Sequence, residues 1–304
     1  MTQISNQGRK PVVLGTRGSE LALAQVELVF KALIPAVADL LVEVKRIVTS
    51  GDRRQDLRVG EVSGAGLKGL FTKEIQEALL NREIDAAVHS TKDIPGQVPD
   101  GLSICAVLER ADTSDVLISK KPCSLAELPP GSRIATSSVR RRRQLLWMRP
   151  DLQIEEMRGN VPTRLKKLRE SETLDGIVLA RAGLDRLGIA LEDLFVERLN
   201  TLSAIGQGAV ALEIRSDDDA TRSILERINH RPTFIRIAAE RELLRLLDGD
   251  CRLPVGAETE LDGELLRMKA VVFAEEGCPP KTGEAEGDAN APEALAARVF
   301  EQIR

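Results

Sequence analysis

The stretch Ile84-Asp-Ala-Ala-Val-His-Ser-Thr-Lys-Asp-Ile-Pro95 decides the fold of this chain. Its apolar first half is typical of a short buried strand, and its second half changes to hydroxyl, cationic and acidic residues. Pro95 disfavours helical backbone at the residue before it, so the chain leaves the strand in a turn. A second stretch, Leu174-Asp-Gly-Ile-Val-Leu-Ala180, is a weak echo of the first. The pair indicates two related units of strand and helix.

Strands and helices alternate around both stretches. We expect Ser19 to cap the first helix and Pro35 to stop it. In chain order the pattern predicts a strand over residues 11–17, a helix from 19, a strand over 41–49, a helix over 71–82, a strand over 131–138, a helix over 139–148, a strand over 153–157 and a helix over 162–170. This order predicts two α/β domains that face each other across a cleft.

The pattern changes from Arg231 onward. A helix over 233–247, a hairpin at Asp262-Gly263 and a closing amphipathic helix over 291–304 predict a small third domain. Residues 275–291 have the composition of a flexible loop, and residues 50–69, with five glycines, that of a long mobile loop. We therefore expect domains at residues 1–110 with 208–226, at 111–207 and at 227–304.

The composition excludes several classes of protein. The chain is 42% hydrophobic and 30% charged, as soluble globular proteins are, and its polar first ten residues do not resemble a secretory signal. We therefore expect a cytoplasmic protein without a membrane segment. A net charge of −4 with 2% aromatic residues argues against nucleic-acid binding. Four widely spaced cysteines and two histidines do not form a metal-site pattern.

A cluster of arginines is the strongest local signal. Residues 131–149 contain six arginines and no acidic residue, and Thr136-Ser137-Ser138 precedes the helix that carries four of them. Hydroxyl groups, a helix N-terminus and guanidinium groups together make a site for carboxylates or phosphates. Because consecutive helical residues point in different directions, we expect Arg140 and Arg141 to face the ligand, and Arg142 and Arg143 to face solvent or another domain. Taken alone, the run also fits a solvated basic helix face.

Other candidates follow further predicted strands, at the edge where open α/β sheets bind ligands. Arg158 and Arg164 flank a second helix start, and Arg17 follows the first strand. We expect Asp93 to be the one carboxylate at a strand end beside many cations. It could simply neutralise these cations, or it could act as an acid/base and as the counter-charge of a cationic intermediate. Cys251 lies in a glycine-flanked loop, where a thiol is more reactive than in a core strand, but spacing alone favours an inert thiol.

Seven blocks, taken in order, make the chain resemble the porphobilinogen deaminases (hydroxymethylbilane synthases). They are Thr16-Arg-Gly-Ser19 with Gln25, His89-Ser-Thr-Lys-Asp-Ile-Pro95, Thr136-Ser-Ser-Val-Arg-Arg141, Arg158-Gly-Asn-Val-Pro-Thr-Arg164, Ala182-Gly-Leu-Asp-Arg186, Gly206-Gln-Gly-Ala209, and Glu240-Arg241 leading to Gly249-Asp-Cys-Arg-Leu-Pro254. One block is weak, but seven in the family's order are specific. The resemblance implies an α/β fold: two lobes of the periplasmic-binding-protein (type II) kind facing a cleft, plus a small α+β C-terminal domain.

The resemblance also implies a reaction. A dipyrromethane cofactor, joined by a thioether to Cys251, primes the addition of four porphobilinogen molecules, and hydrolysis releases hydroxymethylbilane. Asp93 is the implied catalytic residue, which assists loss of ammonia and stabilises the cationic pyrrole. The implied protein is a monomer whose partner is the small-molecule substrate. The residues implied to bind cofactor and substrate are Arg17, Ser19, Gln25, Lys92, Thr136, Ser138, Arg140, Arg141, Arg158, Asn160, Arg164, Arg186 and Gln207.

Two other functions fit parts of the sequence. A non-enzymatic two-lobed binding protein for a carboxylate or phosphate would explain the repeated anion sites, but it would not explain the third domain or Cys251. A nucleic-acid binder that uses the arginine helix would show steep salt dependence with polynucleotide.

Overall fold

The computed structural model describes residues 11–53, 69, 71–247, 254–273 and 278–304. Within these ranges the strands form three sheets. Cys251 and most of the predicted mobile loop over 50–69 lie outside the described residues, so both stay predictions. In the described part of the chain, no helix is long and apolar enough to cross a membrane.

The first sheet has the strand order β2-β1-β3-β10-β4. Its strands are β1 (Val12–Arg17), β2 (Val42–Ile47), β3 (Ala86–Ser90), β4 (Leu102–Val107) and β10 (Val210–Arg215). The first three are parallel to one another, and β10 runs antiparallel to both β3 and β4. The helices of this part are α1 (Glu20–Ala36), α2 (Ser50–Arg53), α3 (Lys73–Leu80) and α7 (Asp219–Leu225).

The second sheet has the strand order β7-β6-β8-β5-β9. Its strands are β5 (Asp115–Ser119), β6 (Arg133–Ala135), β7 (Gln153–Glu155), β8 (Gly176–Ala180) and β9 (Phe195–Arg198), and its helices are α4 (Val139–Met148), α5 (Val161–Glu170) and α6 (Arg181–Leu187). Strands β6, β7 and β8 are parallel, and β5 runs antiparallel to β8 and β9.

The two sheets therefore share one topology. Each has three parallel strands, then an antiparallel strand, then a fifth strand, and β3 and β8 occupy equivalent places. The echo between residues 84–89 and 174–180 thus reflects real equivalence. The chain crosses between the lobes twice, over residues 108–114 and 199–209. This arrangement confirms the predicted pair of α/β lobes.

The remaining described chain forms helices α8 (Arg231–Leu246) and α9 (Pro292–Ile303) against a sheet of β11 (Val255–Asp262), β12 (Leu265–Val272) and β13 (Lys281–Asp288). The hairpin at 262–263 is confirmed, but the prediction of a flexible loop over 275–291 is wrong, because β13 fills half of it. Pairs such as Lys269 with Glu284 link β13 to β12. Gly283 lets α9 approach, since a Cβ there would lie 2.9 Å from the carbonyl oxygen of Val299.

Each sheet has its own apolar core, which covers one or both of its faces. Helix α1 begins where predicted, with the Ser19 side chain accepting a hydrogen bond from the N–H of Ala22. The prediction that Pro35 stops this helix is wrong by a short margin, because α1 continues to Ala36. Its apolar face packs on the first sheet, and tertiary packing of this kind outweighs local propensity at a helix end.

Candidate active-site cleft

The candidate residues of both lobes lie where parallel strands end. Arg17 ends β1, and β3 runs into a 3-10 turn at Thr91–Asp93. In the second lobe, Ser138 caps α4 after β6. The lobes meet close to these ends, because α1 packs against α6. The strand ends therefore face one cleft, which is where sheets of this type bind ligands.

Asp93 is accessible within this cleft. Its side chain is 30% exposed, and its Oδ2 lies 4.0 Å from Nη1 of Arg17. Arg17 is bound more closely by Asp52, at 2.5 Å from Nη2 to Oδ1, and its guanidinium lies 4.3 Å from the centroid of the Phe71 ring. Because Asp52 already neutralises Arg17, the carboxylate of Asp93 is not fully engaged by this arginine.

Lys92 precedes Asp93 and reaches across to the second chain crossing. Its Nζ lies 3.4 Å from Oε1 of Gln207. Burial, and next the positive charge of Arg141, lower the pKa of Lys92 to about 8, while the charge of Asp93 works in the opposite direction. Lys92 is therefore a cation whose charge is lost just above neutral pH.

Arg140 and Arg141 share an internal carboxylate. Asp115, the fully buried first residue of β5, accepts from Nη1 of Arg140 at 2.7 Å and from Nη2 and Nε of Arg141 at 2.8 and 3.0 Å. Nε2 of Gln207 also donates to it, at 2.9 Å. Burial alone would raise the pKa of Asp115, but Arg141 and Arg140 hold it well below its usual range.

This pairing corrects the expectation that Asp93 is the one carboxylate at a strand end beside the cations. Residues 131–149 contain no acidic residue, but the fold brings one from β5. Arg140 and Arg141 are buried, and Asp115 already neutralises a large part of their charge. That they face the ligand stays a prediction. Arg142 and Arg143 are both half-buried, and Nη1 of Arg142 lies 3.5 Å from the carbonyl oxygen of Ile154.

The positive charges of three other arginines of the cleft are not neutralised by carboxylates of the described chain. Among the described residues, no carboxylate forms an ion pair with Arg158, Arg164 or Arg186. Nη2 of Arg158 and Nε of Arg186 are buried without a hydrogen-bond partner. Burial, and next the charges of Arg141 and Arg158, lower the pKa of Arg164 to about 10. Buried donors without acceptors are costly, so these side chains suit an anionic ligand.

The polar candidates mostly shape the helix N-termini that line the cleft. Ser19, Ser138 and Asn160 each cap a helix by accepting a hydrogen bond from a backbone N–H three residues later. The Thr136 hydroxyl accepts from the N–H of Ser138 at 3.2 Å. Gln25 is buried and donates to the Ser90 hydroxyl at 2.7 Å, which links α1 to the end of β3. Their direct contacts are therefore with the protein.

The second chain crossing passes through the cleft as Gly206-Gln207-Gly208. Both glycines have positive φ, and a Cβ on Gly206 would lie 3.0 Å from the N of Lys92. Only glycine lets this segment approach the turn so closely. Gln207, between them, joins Lys92 of one lobe to Asp115 of the other. Nη2 of Arg186 donates to the carbonyl oxygen of Gly208 at 2.6 Å.

Comparison with known proteins adds the family. Residues 12–223 match the model described as the dipyromethane cofactor binding domain of porphobilinogen deaminase, and residues 234–304 match that family's C-terminal domain. The chain belongs to the porphobilinogen deaminase family. Its relatives include the porphobilinogen deaminase of Syntrophomonas wolfei, 47% identical over 284 residues, which are 92% of this chain and 90% of that one. That of Rubrobacter xylanophilus is 44% identical over 295 residues, 96% of this chain and 94% of that one.

A solved structure of a Salmonella typhimurium periplasmic binding protein with high arginine specificity overlaps 78% of this chain and 98% of its own, with 13% identity and a TM-score of 0.42. The overlap is too loose to bear on function. Family membership itself identifies the cleft as part of the domain that binds the dipyrromethane cofactor, because the matched range contains all the cleft residues described above.

Sequence reasoning missed two acidic residues of the site. Asp115 stands directly before the apolar run Val116-Leu-Ile118, and a carboxylate at the head of a buried strand is a signal that could have been followed. Asp52 gave no comparable signal, since it precedes a charged, glycine-rich stretch without periodicity.

Proposed function

We propose that this protein is a transferase that joins four porphobilinogen molecules to a dipyrromethane primer on Cys251 and then releases hydroxymethylbilane by hydrolysis. The observation that carries the proposal is the unequal charge of the cleft. Arg158, Arg164 and Arg186 have no carboxylate partner in the described chain, whereas the carboxylate of Asp93 at the end of β3 is accessible. The family match supports this reaction over a non-enzymatic binding protein.

The uncompensated arginines fit the substrate's charge. Each porphobilinogen unit brings two carboxylates, so a growing chain accumulates negative charge that is costly to bury without paired cations. Planar guanidinium groups bind carboxylates through two parallel hydrogen bonds. Arg158 and Arg186 each offer a buried N–H that has no acceptor. We assign these two residues, with Arg164, Arg17 and Lys92, to the acetate and propionate groups.

Asp93 has the opposite charge, which the chemistry requires. Loss of ammonia from porphobilinogen leaves a positively charged pyrrole, and the surrounding cations would oppose its formation. Among the residues that the structure describes, the nearest cation is Arg17, which lies 4.0 Å away and is already paired with Asp52. Asp93 can therefore assist the loss of ammonia and, as a carboxylate, stabilise the cationic pyrrole.

The residues of the cleft also fit the cofactor. A dipyrromethane carries carboxylates, for which the partnerless donors of Arg158 and Arg186 are suitable. When bound, this group supplies a nucleophilic pyrrole carbon as the starting point of the chain. The polar residues Ser19, Thr136, Ser138 and Asn160 form the helix ends around it, and Gln25 fixes the end of β3.

Arg140, Arg141 and Gln207 enter the proposal in a different way. Their contacts with Asp115 fix the guanidinium groups at the edge of the cleft, so part of their effect on the ligand is exerted through a fixed positive field. Besides burial, the positive charges of Arg141 and Arg140 lower the pKa of Lys92, and Nζ of Lys92 also donates to the side chain of Gln207.

We extend the proposal to the oligomeric state, the cellular location and the domain boundaries. We infer a monomeric cytoplasmic enzyme with domains at residues 1–110 with 208–226, at 111–207 and at 227–304. The chain crossings at residues 108–114 and 199–209 support the first two boundaries. Sedimentation equilibrium measures the oligomeric state, and a mass near 33.2 kDa is the expected result.

The deciding experiment combines intact mass with turnover. We expect purified protein to carry an adduct of two pyrrole units that peptide digestion maps to Cys251 and that Cys251→Ser lacks. Cys105 is the internal comparison, because burial raises the pKa of its thiol to about 12 and keeps it unreactive. Protein that consumes porphobilinogen without any adduct would overturn the proposal.

A further inference from the structure

Arg241 in helix α8 binds the backbone that directly follows Asp93. Its Nη2 donates to the carbonyl oxygens of Pro95 at 2.9 Å and Gly96 at 3.3 Å. Its Nη1 lies 3.4 Å from the carbonyl oxygen of Ile94. One guanidinium therefore reaches three successive carbonyl groups, and it lies outside the cleft residues that the family resemblance implies.

This guanidinium has no other described role. Among the described residues, no carboxylate forms an ion pair with Arg241. Burial lowers its pKa to about 10, although the charge of Glu213 acts in the opposite direction. A half-buried arginine that donates to main-chain oxygens fixes a segment rather than neutralising a charge.

Gly96 allows the segment after Asp93 to lie close to helix α8. A Cβ at this position would lie 3.1 Å from both the N of Arg245 and the carbonyl carbon of Leu244. The backbone after Asp93 therefore packs directly on the backbone of α8, one turn beyond Arg241. The side chain of Ile94, in the same segment, is buried, so apolar packing also stabilises this contact.

Helix α8 connects the segment after Asp93 with the part of the sequence that leads to Cys251. The helix ends at Leu246, and the sequence reaches Cys251 five residues later. The residue before Arg241, Glu240, accepts from Arg110 and from the N–H of Gly206, which holds α8 to both chain crossings. The same turn of α8 is thus fixed on one side to the crossings and on the other to the segment after Asp93.

We propose that Arg241 and Gly96 form a clamp that holds the backbone after Asp93 on helix α8 and so sets the position of Asp93 in the cleft. Both are positioning residues, and the inference rests on the function proposed above. The clamp acts on the rate of each addition, because reacting groups displaced by about 1 Å can lose roughly 100-fold in rate. Substrate affinity is set by the cleft arginines and stays unchanged.

The test compares Arg241→Met, Arg241→Lys and Gly96→Ala with a matched control. Arg245→Met removes an arginine one turn further along α8, whose exposed side chain pairs with Glu242. With primer attachment verified by mass, single-turnover release of ammonia should fall ~10- to 100-fold in Arg241→Met and less in Arg241→Lys. KM should stay within about twofold, and Arg245→Met should match wild type.

A second readout does not depend on the primer. In a Cys251→Ser background, we expect Arg241→Met to raise hydrogen exchange at the Ile94 amide, which donates to the Thr91 carbonyl oxygen. Arg245→Met should leave it unchanged. If Arg241→Met fails to fold, Gly96→Ala decides, because it keeps the guanidinium and shifts the contact by a few tenths of an ångström.

Two outcomes would overturn the clamp. One is a wild-type rate per primed molecule in Arg241→Met and Gly96→Ala, even if stability falls. The other is an equal loss of rate in Arg245→Met. Failure of wild-type protein to convert porphobilinogen would instead overturn the proposed function, and the exchange measurement would still decide whether the clamp exists.

Discussion

Replacing Asp115 by Asn should strongly destabilise the second lobe. Asp115 is fully buried and compensates two buried guanidinium groups, those of Arg140 and Arg141, at 2.7 and 2.8 Å. Removing one partner of a buried pair leaves charge uncompensated and typically costs about 3–5 kcal/mol. Since folded domains are stable by only about 5–15 kcal/mol, the loss is a large part of the total.

Urea unfolding, followed by the fluorescence of the only tryptophan, measures this loss. Trp147 lies in α4, the helix that carries both arginines, so it reports on the affected lobe. With a urea dependence of about 2 kcal/mol per molar, the midpoint should fall by roughly 1.5–2.5 M. Asp193→Asn is the control, because Asp193 pairs with Arg169 at the surface, where such pairs contribute about 0–1 kcal/mol.

The pH dependence follows from the direction of the pKa shift. Burial would raise the pKa of Asp115, but the two arginines lower it, so its contribution is fully present above the unfolded pKa of about 4. The contribution is lost as pH falls below that value. The difference between wild type and Asp115→Asn should therefore be constant near neutral pH and shrink in acid. A midpoint shift no larger than that of Asp193→Asn would refute the reasoning.

Three further predictions concern the reaction. Asp93→Asn, loaded with preformed primer, should release ammonia ~10²- to 10⁴-fold more slowly than wild type in single-turnover assays, and a rate within a few-fold would make Asp93 a structural counter-ion. Arg158→Leu and Arg164→Leu should stall elongation at an intermediate number of pyrrole units, which mass spectrometry of the enzyme would show, because an unpaired substrate carboxylate costs about 2–5 kcal/mol. Products of normal length would instead indicate that these arginines are solvated and do not bind the substrate. Because the pKa of Lys92 is lowered to about 8, KM should rise above that pH as its positive charge is lost, and Lys92→Arg should abolish this rise.

Local sequence was sufficient for most elements and for the family. The caps at Ser19, Ser138 and Asn160, and the hairpin at 262–263, depend on interactions within a few residues, so they can be read directly from the chain. The seven ordered blocks indicate the family because seven motifs in the family's order are specific, although one alone is weak. The alternation of strands and helices also predicted two lobes.

Strand β13 shows where local signals fail. Its glycines and glutamates are typical of a loop, and only the neighbouring strand β12 and helix α9 make an extended backbone favourable there. Propensity for strand structure depends on what lies across the sheet, which a single segment does not contain.

Charge compensation in the cleft was decided by tertiary structure alone. By itself the sequence determined that arginines gather around residues 133–149, but the acidic residue that compensates Arg140 and Arg141 comes from β5, 25 or more residues away, and the second crossing adds Gln207. The same holds for Arg241, whose carbonyl partners are separated from it by about 145 residues. Such pairings depend on how the crossings bring distant strand ends together, and a linear pattern contains no distance between them.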